Sequence, residues 1–114
     1  MAIVYLVGDS EKENYYKIGV TRGKIENRIK KLQTGNAGDI FVVSTYETNF
    51  PFIMEMMLHN KYAESNIINE WFYLEKEEVD KFTSICDKIQ ENINALEDNY
   101  FFQKKYGKDI YTKD

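Results

Sequence analysis

The chain has 114 residues, which is enough for one domain with a single modest core. Its residues are 43% hydrophobic and 30% charged, a composition typical of a soluble globular protein. The single cysteine, Cys86, excludes an internal disulfide and predicts a reducing intracellular compartment, cytoplasmic or nuclear. The apolar run near the amino terminus has six residues and no basic flank, so the sequence predicts neither a signal peptide nor a membrane span.

The net charge of −4 discourages binding to nucleic acid, but the charges are unevenly distributed. Residues 17–32 contain six basic residues and one acidic residue, whereas residues 34–100 contain thirteen acidic and four basic residues. Contacts with phosphate require a local basic patch of this kind. A solvated helix face is the alternative interpretation. The candidate DNA contacts are Lys17, Arg22, Lys24, Lys30 and Lys31.

Two strands are predicted at the start of the chain. Residues 2–8 are nearly continuously apolar, which indicates a strand buried on both faces, and the polar stretch after them predicts an exposed hairpin loop. Residues 15–20 (YYKIGV) predict a second strand with Lys17 and Gly19 on one face. A glycine inside a strand marks a close approach by another group. Lys17 and Arg28 could therefore converge beside Gly19 as an anion site.

A helix, a strand and a second helix follow. Helical spacing predicts the first helix at residues 24–34, ending at Gly35. Residues 40–48 (IFVVSTYET) predict a third strand, so that the three strands form a mainly antiparallel sheet. Pro51 suits the first turn of a second helix, at about residues 51–64.

Glu55 and His59 lie four residues apart on this second helix and therefore share one face. The helix is apolar on nearly all sides, which predicts burial. Because burying an unpaired carboxylate costs several kcal/mol, Glu55 then needs a partner, either a cation such as Arg28 or a bound metal. The alternative is that both side chains face water.

The last third of the chain predicts one long helix over residues 75–106, followed by a tail at residues 107–114. Apolar side chains recur at alternating spacings of three and four over residues 79–100, which is a heptad seam. This seam could pack on the domain itself or on a second copy in a homodimer. Before the helix, Trp71 and Phe72 are predicted to fill the core.

Several of these stretches together resemble the GIY-YIG nuclease superfamily, and especially its branch in phages and large DNA viruses, whose second motif reads KIG. The similarity rests on Val4-Tyr5-Leu6, YYKIGVT, RIKKLQTGN, Glu55 with Leu58-His59, and Glu70-Trp71-Phe72. It covers about residues 3–74 and defines a predicted core domain, residues 1–74. It implies an α+β fold, a small three-stranded antiparallel sheet flanked by helices in the order β-β-α-β-α, with the long C-terminal helix outside the match. A phage or viral origin would be in keeping with this resemblance.

The resemblance also implies metal-dependent hydrolysis of DNA with one Mg²⁺ or Mn²⁺ ion. Glu55 matches the glutamate that binds this metal, Arg28 matches the arginine that contacts the phosphate, and Tyr5 matches the tyrosine that orients the nucleophilic water. Lys17 stands in the place of a second tyrosine that is often assigned as the general base. A lysine more naturally binds phosphate, so His59, which titrates near neutral pH, is the candidate base.

Three functions compete at this point. The first is a small DNA endonuclease. The second is a noncatalytic DNA-binding module that keeps Lys17 and Arg28, and the third is an interaction protein that assembles through residues 79–100. Retention of Tyr5, Arg28 and Glu55 together favours the nuclease, whereas the acidic body of the chain favours the other two.

Overall fold

The structure is a computed structural model that describes the backbone of residues 1–110 and the side chains of residues 1–107. Its strands are β1 (Ala2–Asp9), β2 (Lys12–Thr21), β3 (Ile40–Thr48), β4 (Asn66–Ile68) and β5 (Trp71–Tyr73). Its helices are α1 (Ile25–Gln33), α2 (Pro51–Lys61), α3 (Lys76–Asp80), α4 (Phe82–Leu96) and α5 (Tyr100–Ile110), and a short 3₁₀ turn at Ala63–Ser65 follows α2. The strands form one antiparallel sheet in the order β3-β1-β2-β5-β4.

The predicted α+β class and the order β-β-α-β-α are confirmed. The sheet has five strands rather than the three predicted, because β4 and β5 form a small hairpin that pairs with β2. Asn69 makes the turn of this hairpin with a φ of 51°, a left-handed conformation that asparagine tolerates better than most residues. Three-residue strands offer too little alternation for recognition from sequence.

The two faces of the sheet bury different sets of side chains. One face packs Val4, Leu6 and Ile18 against α2 and α4 in the main core. The opposite face carries Tyr5 and packs against apolar side chains of α1. Gly19 pairs directly with Tyr5, and directly paired residues share a face, so the face predicted for Lys17 and Gly19 is the α1 side.

The segment predicted as one long helix is divided into α3, α4 and α5. A capping box formed by Glu75 and Glu78 begins α3. Asn99 begins α5, because its side-chain oxygen accepts hydrogen bonds from the backbone N–H groups of Phe101 and Phe102 at 3.0 and 3.1 Å. α5 continues to residue 110, and the last four residues of the predicted tail, 111–114, lie outside the described residues.

Most of the apolar seam of residues 79–100 packs within the chain itself, whereas its last two members, Leu96 and Tyr100, are exposed. Phe82, Cys86, Ile89 and Ile93 of α4 are all buried in the main core, against α2 and the sheet. The homodimer predicted through this seam therefore has no support in the structure, since these side chains already cover the domain's own sheet. Within residues 1–110, no helix has both the length and the apolar character needed to cross a membrane.

Candidate functional site

Tyr5 lies at the centre of the sheet and faces α1. It pairs with Gly19 of β2, and its side chain is 0% exposed. A Cβ atom at position 19 would overlap the Tyr5 hydroxyl group and ring. The close approach predicted at this glycine is therefore the approach of the Tyr5 ring.

Arg28 of α1 reaches the same place. Its Nε donates a hydrogen bond of 3.1 Å to the Tyr5 hydroxyl oxygen, and this bond raises the pKa of Arg28. Burial raises the pKa of Tyr5, although the hydrogen bond from Arg28 opposes that effect. Tyr5 is therefore a neutral phenol at pH 7, and its own proton remains available for donation.

Lys17 is nearly buried on the same face, two residues before Gly19. Its Nζ lies 3.7 Å from a carboxylate oxygen of Glu70. Glu70 follows the turn residue Asn69, and its backbone oxygen accepts a 3.2 Å hydrogen bond from the Ile18 N–H, which fixes it beside β2. Sequence reasoning assigned Glu70 no role, because only the unrecognised β4–β5 hairpin brings it to this site.

α2 contributes the half-buried side chains of Glu55 and His59. Among the described residues, one ligand atom from each of Glu55, His59 and Glu70 lies within 4.8 Å of the others. Burial raises the pKa of Glu55, and the charge of Glu70 raises it further, while His59, Lys17 and Arg28 act in the opposite direction. Glu55 is thus not a water-facing surface group but part of a cluster with charged partners.

His59 has a defined orientation. Its Nε2 lies 3.0 Å from the carbonyl oxygen of Ile18, and its ring packs against Phe72 with the centroids 5.1 Å apart. A carbonyl oxygen only accepts hydrogen bonds, so Nε2 must carry a proton. In the neutral imidazole the lone pair is then on Nδ1, which can bind a metal or accept a proton.

The other predicted DNA contacts are spread around this site. Arg22, Lys24, Lys30 and Lys31 are all exposed. Helical spacing places Lys24 and Lys31 on the same side as Arg28, whereas Lys30 falls on the opposite side. The guanidinium of Arg22 lies 5.3 Å from the centroid of the Phe52 ring on α2.

Replacing Glu55 by glutamine is expected to raise the melting temperature of the metal-free protein at pH 7. Because the pKa of Glu55 in the folded state is raised above its usual value of 4.5, keeping it ionised destabilises the fold. This penalty is absent below pH 4.5 and sets in as the pH rises through the folded-state pKa. The difference between Glu55→Gln and the wild type should therefore grow from acid to neutral pH in thermal melts.

Glu64→Gln is the matched control for this comparison, because Glu64 is exposed and outside the cluster. It is expected to melt at the wild-type temperature at every pH. A lower melting temperature for Glu55→Gln at pH 7 would mean that attraction from Lys17 and Arg28 outweighs the cost of burial.

The sheet and its flanking helices define a small α+β domain that gathers an arginine, a lysine, a tyrosine and two carboxylates at one place. The model of the T5orf172 domain matches residues 2–87, and the chain belongs to this family. The T5orf172 domain is phage-associated and related to nucleases of the GIY-YIG and HNH-like kinds, which indicates a nuclease-like or DNA-binding function. Comparison with curated proteins and with solved structures gives no match.

Proposed function

We propose that this protein is a metal-dependent DNA endonuclease of GIY-YIG type. The observation that carries the proposal is the convergence of Tyr5, Arg28 and Glu55, which come from β1, α1 and α2. Arg28 donates its hydrogen bond to Tyr5, and the charge of Glu55 acts on both side chains. A module that only binds DNA has no use for a half-buried glutamate beside its phosphate contacts, since that charge repels phosphate.

The basic and phenolic groups act on the phosphate in this proposal. Arg28 binds the scissile phosphate and stabilises the negative charge that develops on its oxygens. Lys17 supplies a second positive charge from β2. Because the Tyr5 hydroxyl oxygen accepts the hydrogen bond from Arg28, its own proton is left to donate to the attacking water or to a phosphate oxygen.

Glu55 and Glu70 would hold the divalent cation, while the Nδ1 lone pair of His59 beside them stays free to accept a proton. The donor set fits such an ion, because carboxylate oxygens suit Mg²⁺ or Mn²⁺. When bound, the ion polarises the phosphate and stabilises the leaving oxygen. Burial raises the pKa of Glu55 and the charge of Glu70 raises it further, and a bound cation would relieve the repulsion between the two carboxylates.

Lys17 and His59 are the two candidates for the general base. Lys17 is paired with Glu70 as a cation, and an ammonium group has no lone pair with which to accept a proton. His59 donates from Nε2 to Ile18, so its Nδ1 is the acceptor in the neutral ring. We therefore assign phosphate binding to Lys17 and proton acceptance to His59.

His59→Ala is expected to lower the cleavage rate by about a hundredfold or more and leave DNA affinity unchanged, since the base acts only in the transition state. His59→Gln separates this role from a structural one, because the glutamine amide can donate to the Ile18 carbonyl. Recovery of activity in His59→Gln would show that the ring only holds α2 against β2.

A noncatalytic DNA-binding module is the second candidate, and the observation that favours it is the lysine at position 17. Metal-dependent binding distinguishes the two functions. With two carboxylates at the phosphate site, the nuclease should bind DNA more tightly in Ca²⁺, which also prefers oxygen ligands, than in a chelator.

Glu55→Gln should lose most of this Ca²⁺ dependence, while the control Glu64→Gln should keep it. DNA affinity that is the same with and without divalent cations, in both the wild type and Glu55→Gln, would favour the noncatalytic module.

A further inference from the structure

Aromatic side chains are stacked on the sheet next to the phosphate site. The rings of Tyr15 on β2 and Trp71 on β5 are nearly parallel, with centroids 4.5 Å apart and an angle of 9° between the planes. Tyr73 pairs directly with Tyr15, and Trp71 pairs directly with Lys17. Because directly paired residues share a face, these side chains belong to the face that carries Gly19. We call Tyr15, Trp71 and Tyr73 the aromatic strip.

The aromatic strip is accessible. Tyr73 is 47% exposed, and Tyr15 and Trp71 are each partly exposed. Ile68, which pairs with Trp71 from the edge strand β4, is 55% exposed. The helix that covers this face, α1, packs mainly on β3 at the other edge of the sheet and reaches inward as far as Tyr5 of β1.

Two lysines border the aromatic strip. The Nζ of Lys12 lies 4.5 Å from the centroid of Tyr15, and the Nζ of Lys17 lies 5.9 Å from the centroid of Trp71. Cations beside aromatic rings complement a ligand that offers both phosphates and flat bases. Since Lys17 also belongs to the phosphate site, the aromatic strip and that site form one continuous surface.

We propose that the aromatic strip is a stacking platform for unpaired bases of the DNA strand whose phosphate binds at Lys17 and Arg28. This inference rests on the proposed function for the identity of the ligand. Every base has a face that can stack on an aromatic ring, but bases within a duplex already stack on one another. The preferred substrate class is therefore DNA with an unpaired segment at the cleavage point, which an underwound supercoiled plasmid also offers, rather than a relaxed continuous duplex.

Trp71 is the only tryptophan of the chain, so its fluorescence reports directly on the platform. The test compares, in Ca²⁺, a strand of about 12 thymidines with an abasic strand of the same length and charge. The thymidine strand should bind about tenfold or more tightly and change the Trp71 emission, because the abasic strand keeps the phosphates but has no rings. Equal affinities for the two strands, or tighter binding of a duplex of the same length, would overturn the proposal.

Substitutions within the aromatic strip test whether its side chains cause the preference for the thymidine strand. Tyr73→Ala removes a ring that is 47% exposed, and Tyr15→Leu removes the partner of Trp71. Both variants should bind the thymidine strand several-fold more weakly and the abasic strand as before. Phe101→Ala is the control, because Phe101 is 77% exposed but lies on α5. A preference for thymidine that survives both substitutions would contradict a stacking role.

The binding and cleavage assays together distinguish a failure of the stacking platform from a failure of the proposed nuclease function. Base-dependent binding without cleavage in Mg²⁺ or Mn²⁺ would leave the platform standing and remove the nuclease. Cleavage by a protein that binds thymidine and abasic strands equally would remove the platform and leave the nuclease.

Discussion

Arg28→Ala is expected to lower the rate of metal-dependent DNA cleavage by at least about a hundredfold, the usual loss when one contact to transition-state charge is removed. Two effects act together in this variant. The phosphate loses its guanidinium partner, and the buried Tyr5 hydroxyl loses the hydrogen bond that orients it. The second effect should also lower stability, by about 1 kcal/mol. Single-turnover cleavage and thermal melts measure the two contributions separately.

Lys30→Ala is the matched control, because Lys30 is an exposed basic residue on the opposite side of the same helix. It should cut DNA at nearly the wild-type rate. Tyr5→Phe isolates the hydroxyl, since it keeps the ring over Gly19 and leaves Arg28 in place. A large loss of stability with little loss of cleavage in Arg28→Ala would instead make Arg28 a structural partner of Tyr5 and Glu55.

Gly19→Ala is expected to damage both stability and activity through a single methyl group. The added Cβ would overlap the Tyr5 ring, which is 0% exposed, so the ring or the strand would have to shift within the core. Overpacking of this kind costs about 1–3 kcal/mol. Moving Tyr5 would also break its hydrogen bond with Arg28, so cleavage should fall even in the molecules that remain folded.

Gly23→Ala provides the control for backbone effects, because a Cβ at Gly23 would meet nothing within 4 Å. This variant should match the wild type in melting temperature and in cleavage. Wild-type stability and cleavage in Gly19→Ala would contradict the close packing of Tyr5 on β2, and with it the geometry of the site.

Local patterns predicted the part of the site that lies on the long elements. The alternation in β2 was enough to assign Lys17 and Gly19 to one face, and the end of α1 followed from Gly35, which adopts a φ of 79°. The spacing on α2 likewise placed Glu55 and His59 together. Each of these inferences uses only residues that are close in sequence.

Long-range contacts explain what the sequence did not predict. Glu70 and the stack of Trp71 on Tyr15 depend on the pairing of β5 with β2, and a three-residue strand gives no periodic signal of its own. Trp71 was predicted to fill the core along with Phe72. Alternation places Phe72 in the main core and leaves Trp71 on the opposite face, beside Tyr5.

The helical seam illustrates a different limit. Its spacing identified the apolar side of α4 but not the surface that this side contacts, since the same pattern serves a dimer or a core. The break between α4 and α5 depends on the cap at Asn99, and the heptad pattern does not encode it.

Nicking of supercoiled plasmid tests the central claim most directly, with the wild type, Glu55→Gln and Glu64→Gln each assayed in Mg²⁺, in Mn²⁺ and in a chelator. The wild type and Glu64→Gln should nick the plasmid in either metal and leave it intact in the chelator. Glu55→Gln should bind DNA and remain folded but produce no nicks. Equal nicking by Glu55→Gln and the wild type would contradict catalysis at this site.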